Sequence, residues 1–386
     1  MSEPRIIPFG RPMIGAEEQA AVARVLAGPQ LVHGPAAHDF ETRFAARAGV
    51  AHAVSVSSCT AGLHLALHVH GIGPGDEVIV PAMTHVATAH AVEYCRARPV
   101  FVDVDPTSGN LDLEALEAAI GPNTRAIMVV HFLGLPPDMT RLRAIAKKHD
   151  LLVVEDAALA LDASYDGVKA GGLGDVASFS FYPTKHMTTS EGGMVTTNDA
   201  EIARRVAAMK AFGYDKTLDE RTRPGIYDVT ALGYNYRMSE AHAAIGLAQL
   251  AKLDGFQAAR AANFKALSDG LADCAELMVF APAQGKGRSS HYCLNAMLPR
   301  DGGIARDDVV AQLKAKGIGT SVHYPSAVPL FAYYREKYGY RAGQFPVAEW
   351  LARATISLPV GPHLEPGDPA RIANSLKAAV AVAEAR

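Results

Sequence analysis

Between about residues 50 and 200 the chain alternates short apolar runs with amphipathic stretches, and this alternation restricts the fold more than any other feature. The runs are rich in Val, Ile and Phe and are bounded by Gly, Pro or Asp. Alternation of this kind predicts an α/β fold with a mostly parallel central sheet flanked by helices. The predicted strands are 52–56, 77–81, 99–104, 126–132, 151–156 and 176–182, and the predicted helices are 61–71, 86–97, 111–121 and 140–150.

The pattern changes in the second half of the chain. A long helical pattern extends from Ser239, a plausible N-cap, to about Gly270. The sequence that follows mixes short strand-like and helical segments, as a smaller α+β domain would. With 386 residues the chain is long enough for two domains. We therefore predict a large domain over residues 1–250 and a small C-terminal domain over residues 251–386, connected by the long helix.

Composition restricts the class of protein. A hydrophobic content of 49% with 20% charged residues is typical of a globular protein, and no apolar run approaches the ~20 residues that span a bilayer. The formal net charge of -3 gives no reason to expect nucleic acid or an anionic membrane as partner.

Residues 1–15 lack the apolar core of an export signal. Cysteines 59, 95, 274 and 293 have no zinc-site spacing, so we expect reduced thiols, a cytoplasmic location and no metal site.

Polar residues at two predicted strand ends mark a candidate site, because ligands of open α/β sheets bind at the carboxyl ends of the strands. After the strand 52–56 come small polar residues, including Ser58 and Thr60, and then a helix that begins near Ala61. This junction fits either an anion site or a simple N-cap. Asp156 ends the strand 151–156 and needs a positive partner, either a protonated pyridine nitrogen or a structural Arg or Lys. Glu155 should point to the opposite face.

A third strand end carries a lysine. In "FSFYPTKHMTTSEGGMV" (179–195), Lys185 follows an apolar strand that contains Ser180, and a hydroxyl- and glycine-rich segment comes next. A lysine desolvated in this position has a lowered pKa and can form a Schiff base. The alternative is a surface or salt-bridged lysine in a loop.

The lysine segment closely resembles that of the DegT/DnrJ/StrS sugar aminotransferases, which have the aspartate-aminotransferase fold (fold type I) of pyridoxal-phosphate (PLP) enzymes. The resemblance extends over nearly the whole chain and follows the family's order of motifs. These include "GPAAHDFETRFAARAGV", "SSCTAGLHLAL", "GDEVIVPAMTHVATAHAV", "PVFVDVDP", "HFLGLPPDM", "VVEDAALALDASYDG", "ALGYNYRMSEAHAAIGLAQL" and "VHYP".

The resemblance implies a role for each candidate residue. Lys185 would carry PLP as a Schiff base, and Asp156 would keep the pyridine nitrogen protonated. The phosphate would be bound by Thr60 and Ala61, with Ser180 close to it. The remaining positions are His85, which would stack on the cofactor, and Asn235, which in relatives reaches the phosphate of the neighbouring subunit. The active site would then be shared within a homodimer.

Two positions depart from the family pattern. Leu159 stands where relatives have a Gln or His that bonds the phenolic oxygen of PLP, so the tuning of the cofactor should differ. Ser190 stands where a glycine is usual. Lys185 itself favours an aminotransferase over the related dehydratases, which replace this lysine with histidine. A PLP-binding protein without catalytic activity, acting as a regulator, is the alternative from another class.

The resemblance also indicates the substrates. The amino donor would be L-glutamate and the acceptor a keto sugar, most often nucleotide-linked, although some relatives aminate keto-inositols. His323 and Tyr324 would line the substrate entrance, and the alternative for His323 is a structural role. Because a guanidinium suits phosphate geometry, Arg237 or Arg223 could meet a diphosphate, and the alternative for Arg223 is a solvated loop arginine. We predict that residues 211–228 form a loop near the subunit interface.

His64 and His68 have a zinc-ligand spacing but lack the adjacent glutamate, so we expect them to have packing or surface roles.

Overall fold

We describe the protein from a computed structural model that covers residues 5–216, 223, 225–300 and 303–384. The strands are β1 His52–Val56, β2 Glu77–Pro81, β3 Arg98–Val102, β4 Thr124–Val130, β5 Leu152–Asp156, β6 Ser164–Tyr165, β7 Val168–Lys169, β8 Val176–Ser180, β9 Gly193–Thr197, β10 Met278–Val279, β11 Ala283–Gln284, β12 Gly287–Arg288, β13 Leu294–Met297 and β14 Thr355–Leu358. The α-helices are α1 Ala16–Leu26, α2 Pro35–Ala48, α3 Cys59–Val69, α4 Val86–Tyr94, α5 Leu113–Ala118, α6 Met139–Lys148, α7 Ala200–Met209, α8 Glu240–Leu271, α9 Arg306–Ala315, α10 Ala332–Tyr338, α11 Pro346–Ala354 and α12 Asp368–Glu384.

A seven-stranded sheet in the order β1-β9-β8-β5-β4-β2-β3 forms the centre of the molecule. The pairs from β8 to β3 are parallel, whereas β9 is antiparallel to both of its neighbours. The predicted α/β class with a mostly parallel sheet is therefore confirmed. The sequence did not predict β9, because a strand that begins with a glycine and ends in two threonines has no apolar run.

Both faces of the sheet are covered, as the apolar strands require. Along β2, the side chains of Val78 and Val80 belong to one apolar cluster, while Ile79 belongs to the other. The first cluster includes Leu63 and Leu67 of α3, and the second includes Phe40 and Phe44 of α2. Alternate residues of a strand point to opposite faces, so a run of Val and Ile is stable only between two such layers.

The long helix α8 connects the parts of the chain. Its N-cap is Ser239, as predicted, and the hydroxyl accepts a hydrogen bond from the His242 N–H at 3.3 Å. The helix packs on α1 and α2 near its start and on α12 of the C-terminal region. Residue 250 lies inside this continuous helix, so a division at that position stays a prediction.

Two pairings join the predicted domains. Tyr165 of β6 pairs with Gly287 of β12, and Ile7 forms a parallel bridge with Ile318. The C-terminal region has a sheet of its own, in the order β10-β13-β14. Among the residues that the structure covers, no helix has the length and apolar character needed to cross a membrane.

Candidate active site

A cavity of about 570 Å³ lies at the carboxyl ends of the parallel strands. Segments distant in the sequence meet there: the first turn of α3, the start of α4, the ends of β5 and β8, the lysine segment and part of the C-terminal region. The predicted residues that line the cavity are Thr60, His85, Asp156, Leu159, Ser180, Lys185, His323 and Tyr324.

Asp156 is a buried carboxylate at the end of β5, with 5% of its surface exposed. Its Oδ2 accepts a hydrogen bond from the Thr88 hydroxyl at 2.7 Å, and its Oδ1 accepts one from the Ala158 N–H at 3.1 Å. Among the described residues it forms no ion pair within 4.0 Å. Glu155 lies on the opposite face, as predicted, where it bonds His131 and backbone N–H groups. Asp156 therefore lacks the positive partner that a buried carboxylate needs.

Lys185 is half-buried in the cavity wall. Its Nζ lies 5.2 Å from the centre of the Tyr292 ring. Burial lowers the pKa of the amine, while the Cys59 thiol and the Asp156 carboxylate raise it and only partly compensate. No ion pair involves Lys185 within the part of the chain that the structure covers. An amine in this state is closer to the neutral nucleophile that attacks a carbonyl.

The start of α3 forms another wall of the cavity. Ser58 is the N-cap, and its hydroxyl accepts a hydrogen bond from the Ala61 N–H at 3.1 Å. Cys59 and Thr60 line the cavity, whereas Ala61 is buried in the same turn. The helix begins at Cys59, two residues before the predicted start. Capping and anion binding are compatible here, because the remaining N–H groups and the helix dipole still favour a negative group.

Aromatic rings close the opposite side. His85 is the N-cap of α4, and its ring lies 5.8 Å from that of Tyr324. His323 is buried, and its Nδ1 lies 2.8 Å from the Ser357 hydroxyl. Burial lowers the pKa of His323 to about 3 and raises that of Tyr324 well above its usual value. Both side chains are therefore neutral groups at neutral pH.

Asn235 and Arg237 lie outside this cavity. Asn235 is exposed, and its Oδ1 accepts a hydrogen bond from Arg237 Nε at 2.9 Å. The guanidinium of Arg237 stacks over the ring of Phe212, with 4.9 Å between the two. Their predicted contacts with cofactor and substrate would require a second subunit, and they stay predictions. Arg223 is exposed, while residues 217–222 and 224 of the predicted interface loop lie outside the described residues.

The two departures from the family pattern have different surroundings. Leu159 is buried and presents an apolar side chain to the cavity. Its backbone carbonyl accepts a hydrogen bond from the Ser290 hydroxyl at 2.6 Å. Ser190 has a φ of 72°, in the left-handed region where glycine is favoured, which explains the glycine expected at this position.

Sequence reasoning missed two side chains that contact the central pair. Thr88 bonds Asp156 from α4, and Tyr292 packs against Lys185 from the C-terminal region. A threonine in a helix and a lone tyrosine carry no signal of this kind in the sequence. The spacing of Thr84 and Thr88, whose hydroxyls lie 2.7 Å apart one turn from each other, was the available hint.

The histidines at zinc-like spacing pack against an aromatic ring, since both His64 and His68 contact the ring of Tyr234. His64 is buried, and its Nδ1 lies 3.2 Å from the Tyr236 hydroxyl. Within the described ranges, no group of three His, Cys, Asp or Glu side chains is arranged to hold a metal ion. His64 therefore has a packing role.

The residues present fit PLP. A protonated pyridine nitrogen would give Asp156 its missing positive partner, and the amine of Lys185 is available to the aldehyde. The start of α3 would hold the phosphate. Strand β9 packs closely against this start of the helix at Gly193, where a Cβ would come within 2.6 Å of the Cys59 nitrogen. When bound, PLP withdraws electrons from the Cα–H bond that must break in amino transfer.

Known proteins resemble the chain over nearly its whole length. Residues 12–377 match the DegT/DnrJ/EryC1/StrS aminotransferase family. The "Spore coat polysaccharide biosynthesis protein SpsC" of Bacillus subtilis is 38% identical, with 94% of each chain covered.

Solved structures share the fold. The "putative sugar aminotransferase Spr1654" of Streptococcus pneumoniae, in its PMP form, superposes with a TM-score of 0.93 at 28% identity, covering 98% of this chain and 100% of that one. DesV of S. venezuelae superposes with a TM-score of 0.87 at 36% identity, covering 96% and 98%. These matches confirm the predicted fold type, the aminotransferase class and the PLP cofactor. The chain belongs to the DegT/DnrJ/EryC1/StrS aminotransferase family.

Proposed function

We propose that the chain is a sugar aminotransferase that moves an amino group from L-glutamate to a nucleotide-linked keto sugar. The observation that carries this proposal is the pair of Asp156 and Lys185 in one cavity, each without an ion-pair partner among the described residues. The names of SpsC and Spr1654 support a sugar as acceptor. The enzyme would act in the cytoplasm, where the four cysteines, which form no disulfide, would stay reduced.

Each residue at the site would have one task. Lys185 would bind the cofactor, and after the donor displaces it, its amine would move the proton between the substrate carbon and the cofactor. Asp156, held by Thr88, would keep the pyridine nitrogen protonated. Thr60 and the backbone at Ala61 would bind the phosphate together with Ser180. His85 would cover the ring, and His323 and Tyr324 would contact the sugar from the C-terminal region.

We propose in addition that two copies of the chain form a homodimer with shared active sites. Exposed apolar side chains occur close to Asn235 in the sequence or beside its bridge to Ala211, and also near the start of the chain: Ile226, Val229, Leu232, Phe212, Leu31 and Val32. The segment with Leu31 and Val32 lies next to this region, because His33 Nε2 is 3.3 Å from an Arg237 nitrogen. An apolar surface of this kind favours a protein partner. A second copy covering it would carry Asn235 and Arg237 to the partner's cavity, where Arg237 would meet the diphosphate.

An absorbance spectrum recorded with PLP, before and after L-glutamate is added, tests the proposal. We expect a band near ~420 nm to be replaced by one near ~330 nm, as the cofactor changes from its lysine-bound form to pyridoxamine phosphate. Adding a keto-sugar nucleotide should then restore the first band. Lys185→Ala is the control and should lack the lysine-bound form, while borohydride reduction and peptide mass analysis should place the cofactor on Lys185.

Other results would redirect the proposal. If glutamate leaves the first band unchanged, glutamate is not the donor. If glutamate reacts but only a keto-inositol restores the band, the nucleotide-linked acceptor is wrong. If neither half of the reaction occurs with any amino acid, a dehydratase or a regulatory protein replaces the aminotransferase.

A further inference from the structure

A buried arginine lies directly behind the lysine segment. Arg260, in the middle of α8, has 6% of its surface exposed. Burial lowers the pKa of its guanidinium to about 10. Among the residues that the structure describes, no carboxylate pairs with it, and its Nε has no hydrogen-bond partner. Removing a guanidinium from water costs free energy, and here no carboxylate offsets that cost. The buried position of Arg260 therefore needs another explanation.

The two remaining nitrogens of Arg260 bond two backbone carbonyls. Nη1 donates to the Tyr292 carbonyl at 2.9 Å, and Nη2 donates to the Lys185 carbonyl at 3.2 Å. These carbonyls belong to segments 107 residues apart in the sequence. The planar guanidinium holds its donors in a fixed fork, so the two bonds also set the distance between the segments.

The same two residues meet again in the cavity through their side chains. The Lys185 amine lies 5.2 Å from the centre of the Tyr292 ring, and the Tyr292 hydroxyl lies 3.3 Å from that of Thr184. Arg260 therefore fixes the backbone behind both partners of this contact. A change in either backbone bond would move the amine relative to the ring that borders it.

We propose that Arg260 is a positioning residue, which acts through Lys185 by fixing the place of its amine in the cavity. The proposal rests on the proposed role of Lys185 as the residue that binds PLP. It accounts for a buried cation that bonds carbonyls only. It also accounts for the choice of arginine, because the compact ammonium of a lysine lacks the fork that holds both carbonyls.

A double-mutant cycle tests the proposal without any amino donor. Arg260→Met keeps an unbranched but shorter side chain and removes both bonds. PLP dissociation constants are measured for the wild type, Arg260→Met, Lys185→Ala and the double variant. If Arg260 acts through Lys185, Arg260→Met should weaken PLP binding about 10-fold or more with the lysine present, but less than about 2-fold in the Lys185→Ala background.

The reaction with glutamate gives a second measurement. The rate constant of the half-reaction should fall about 100-fold in Arg260→Met, with little change in the dissociation constant of glutamate, because proton transfer depends on the position of the amine. Arg260→Lys should be intermediate. Asn263→Ala is the matched control: Asn263 lies one turn further along α8 and bonds the carbonyls of Val360 and Gly361, not those of Lys185 and Tyr292. It should leave both measurements unchanged.

The proposal is wrong if Arg260→Met loses PLP affinity equally with and without Lys185. It is also wrong if Asn263→Ala weakens PLP binding and slows the half-reaction as Arg260→Met does. Either result would assign Arg260 a purely structural role. Circular dichroism checks folding, and if Arg260→Met is unfolded, the cycle is repeated with Arg260→Lys and judged by the same criterion. A wild type that binds PLP through Lys185 but ignores glutamate would remove the proposed donor, while the PLP cycle would still decide the role of Arg260.

Discussion

At the scale of single residues, the site depends on the groups that stabilise the buried carboxylate of Asp156. Asp156 keeps its carboxylate in the interior with three hydrogen-bond donors, of which the Thr88 hydroxyl forms the shortest contact. Hydrogen bonds to charged groups contribute about 1.5–3 kcal/mol. The loss of this one bond should therefore be measurable in the reaction itself.

We expect Thr88→Val to slow the glutamate half-reaction by roughly 10- to 100-fold, the kinetic equivalent of one charge-assisted bond. Valine has nearly the shape of threonine but cannot donate, so the carboxylate loses a donor without a change in packing. Thr88→Ser keeps the hydroxyl and is the control. An unchanged rate in Thr88→Val would mean that the bond to Thr88 does not support Asp156 during the reaction.

His323 makes the stability of the protein sensitive to acid. Its pKa is lowered to about 3 by burial, whereas in the unfolded chain it is about 6.5. Below about pH 6.5 the unfolded state takes up a proton that the folded state does not, so stability falls as the pH falls, by up to about 1.4 kcal/mol per pH unit for this group.

Urea unfolding at pH 7 and pH 5 measures this effect. The free energy of unfolding should decrease between the two, and His323→Gln should remove the share of the decrease that belongs to His323, because glutamine does not titrate. Other buried histidines, such as His64 and His186, also have lowered pKa values and should account for the rest. The same decrease in wild type and variant would show that other groups cause the acid sensitivity.

At this scale, the sequence reveals the site residues whose charged side chains cost free energy to bury. Asp156 and Lys185 were identifiable because charged side chains at the ends of apolar strands need partners. Thr88, Tyr292 and Arg260 were not, since their contacts depend on how α4, α8 and the C-terminal region pack. No local pattern encodes that packing.

At the scale of elements, the cavity depends on how closely α3 packs on the sheet. Gly62 faces β8 and β9, and a Cβ on it would lie 2.2 Å from the Ser178 hydroxyl oxygen and 3.0 Å from a methyl group of Val195. The glycine thus allows the start of α3, with Ser58 and Thr60, to approach the sheet. The six strands predicted from apolar runs lie within a few residues of their observed positions, but this close approach was not predictable.

We expect Gly62→Ala to lower the free energy of unfolding by about 1–3 kcal/mol, because the extra methyl group overpacks the helix against the sheet. Gly255→Ala is the matched control. Gly255 is also inside a helix, but a Cβ there meets nothing within 4 Å. That change should instead stabilise the protein by about 0.5–1 kcal/mol. Thermal unfolding compares the stability of both variants with that of the wild type. If Gly62→Ala is as stable as the wild type, α3 can move away from the sheet without a cost in free energy.

At the scale of the whole molecule, one chain supplies the cavity with its lysine and aspartate, while Asn235, which is exposed, and Arg237, which is half-buried, lie outside it. The fold type followed from the alternation of strands and helices, whereas a shared site would be complete only after assembly. If the site is shared, each cavity takes Lys185 from one subunit and Asn235 from the other. An isologous dimer then contains two such mixed sites.

Hybrid dimers test this arrangement. Lys185→Ala removes the lysine from the variant's own cavity, and Asn235→Ala removes the amide from the partner's cavity. We expect each variant alone to have greatly reduced activity with glutamate and the keto sugar. In a hybrid, one site carries both changes and the other carries neither. With random pairing half of the dimers are hybrids, so co-expression should restore about a quarter of the wild-type activity.

Two controls make the result decisive. A chain carrying both substitutions, co-expressed with Lys185→Ala, should restore nothing, because every cavity then lacks its lysine. Leu232→Asp, which places a charge on the exposed apolar surface, should shift the protein to monomers in light scattering and abolish the restoration. If the mixed variants stay inactive although hybrids form, the Lys185 and Asn235 of one cavity must come from the same chain. Restoration would mean that the catalytic unit is the dimer, and that its stability limits activity at low concentration.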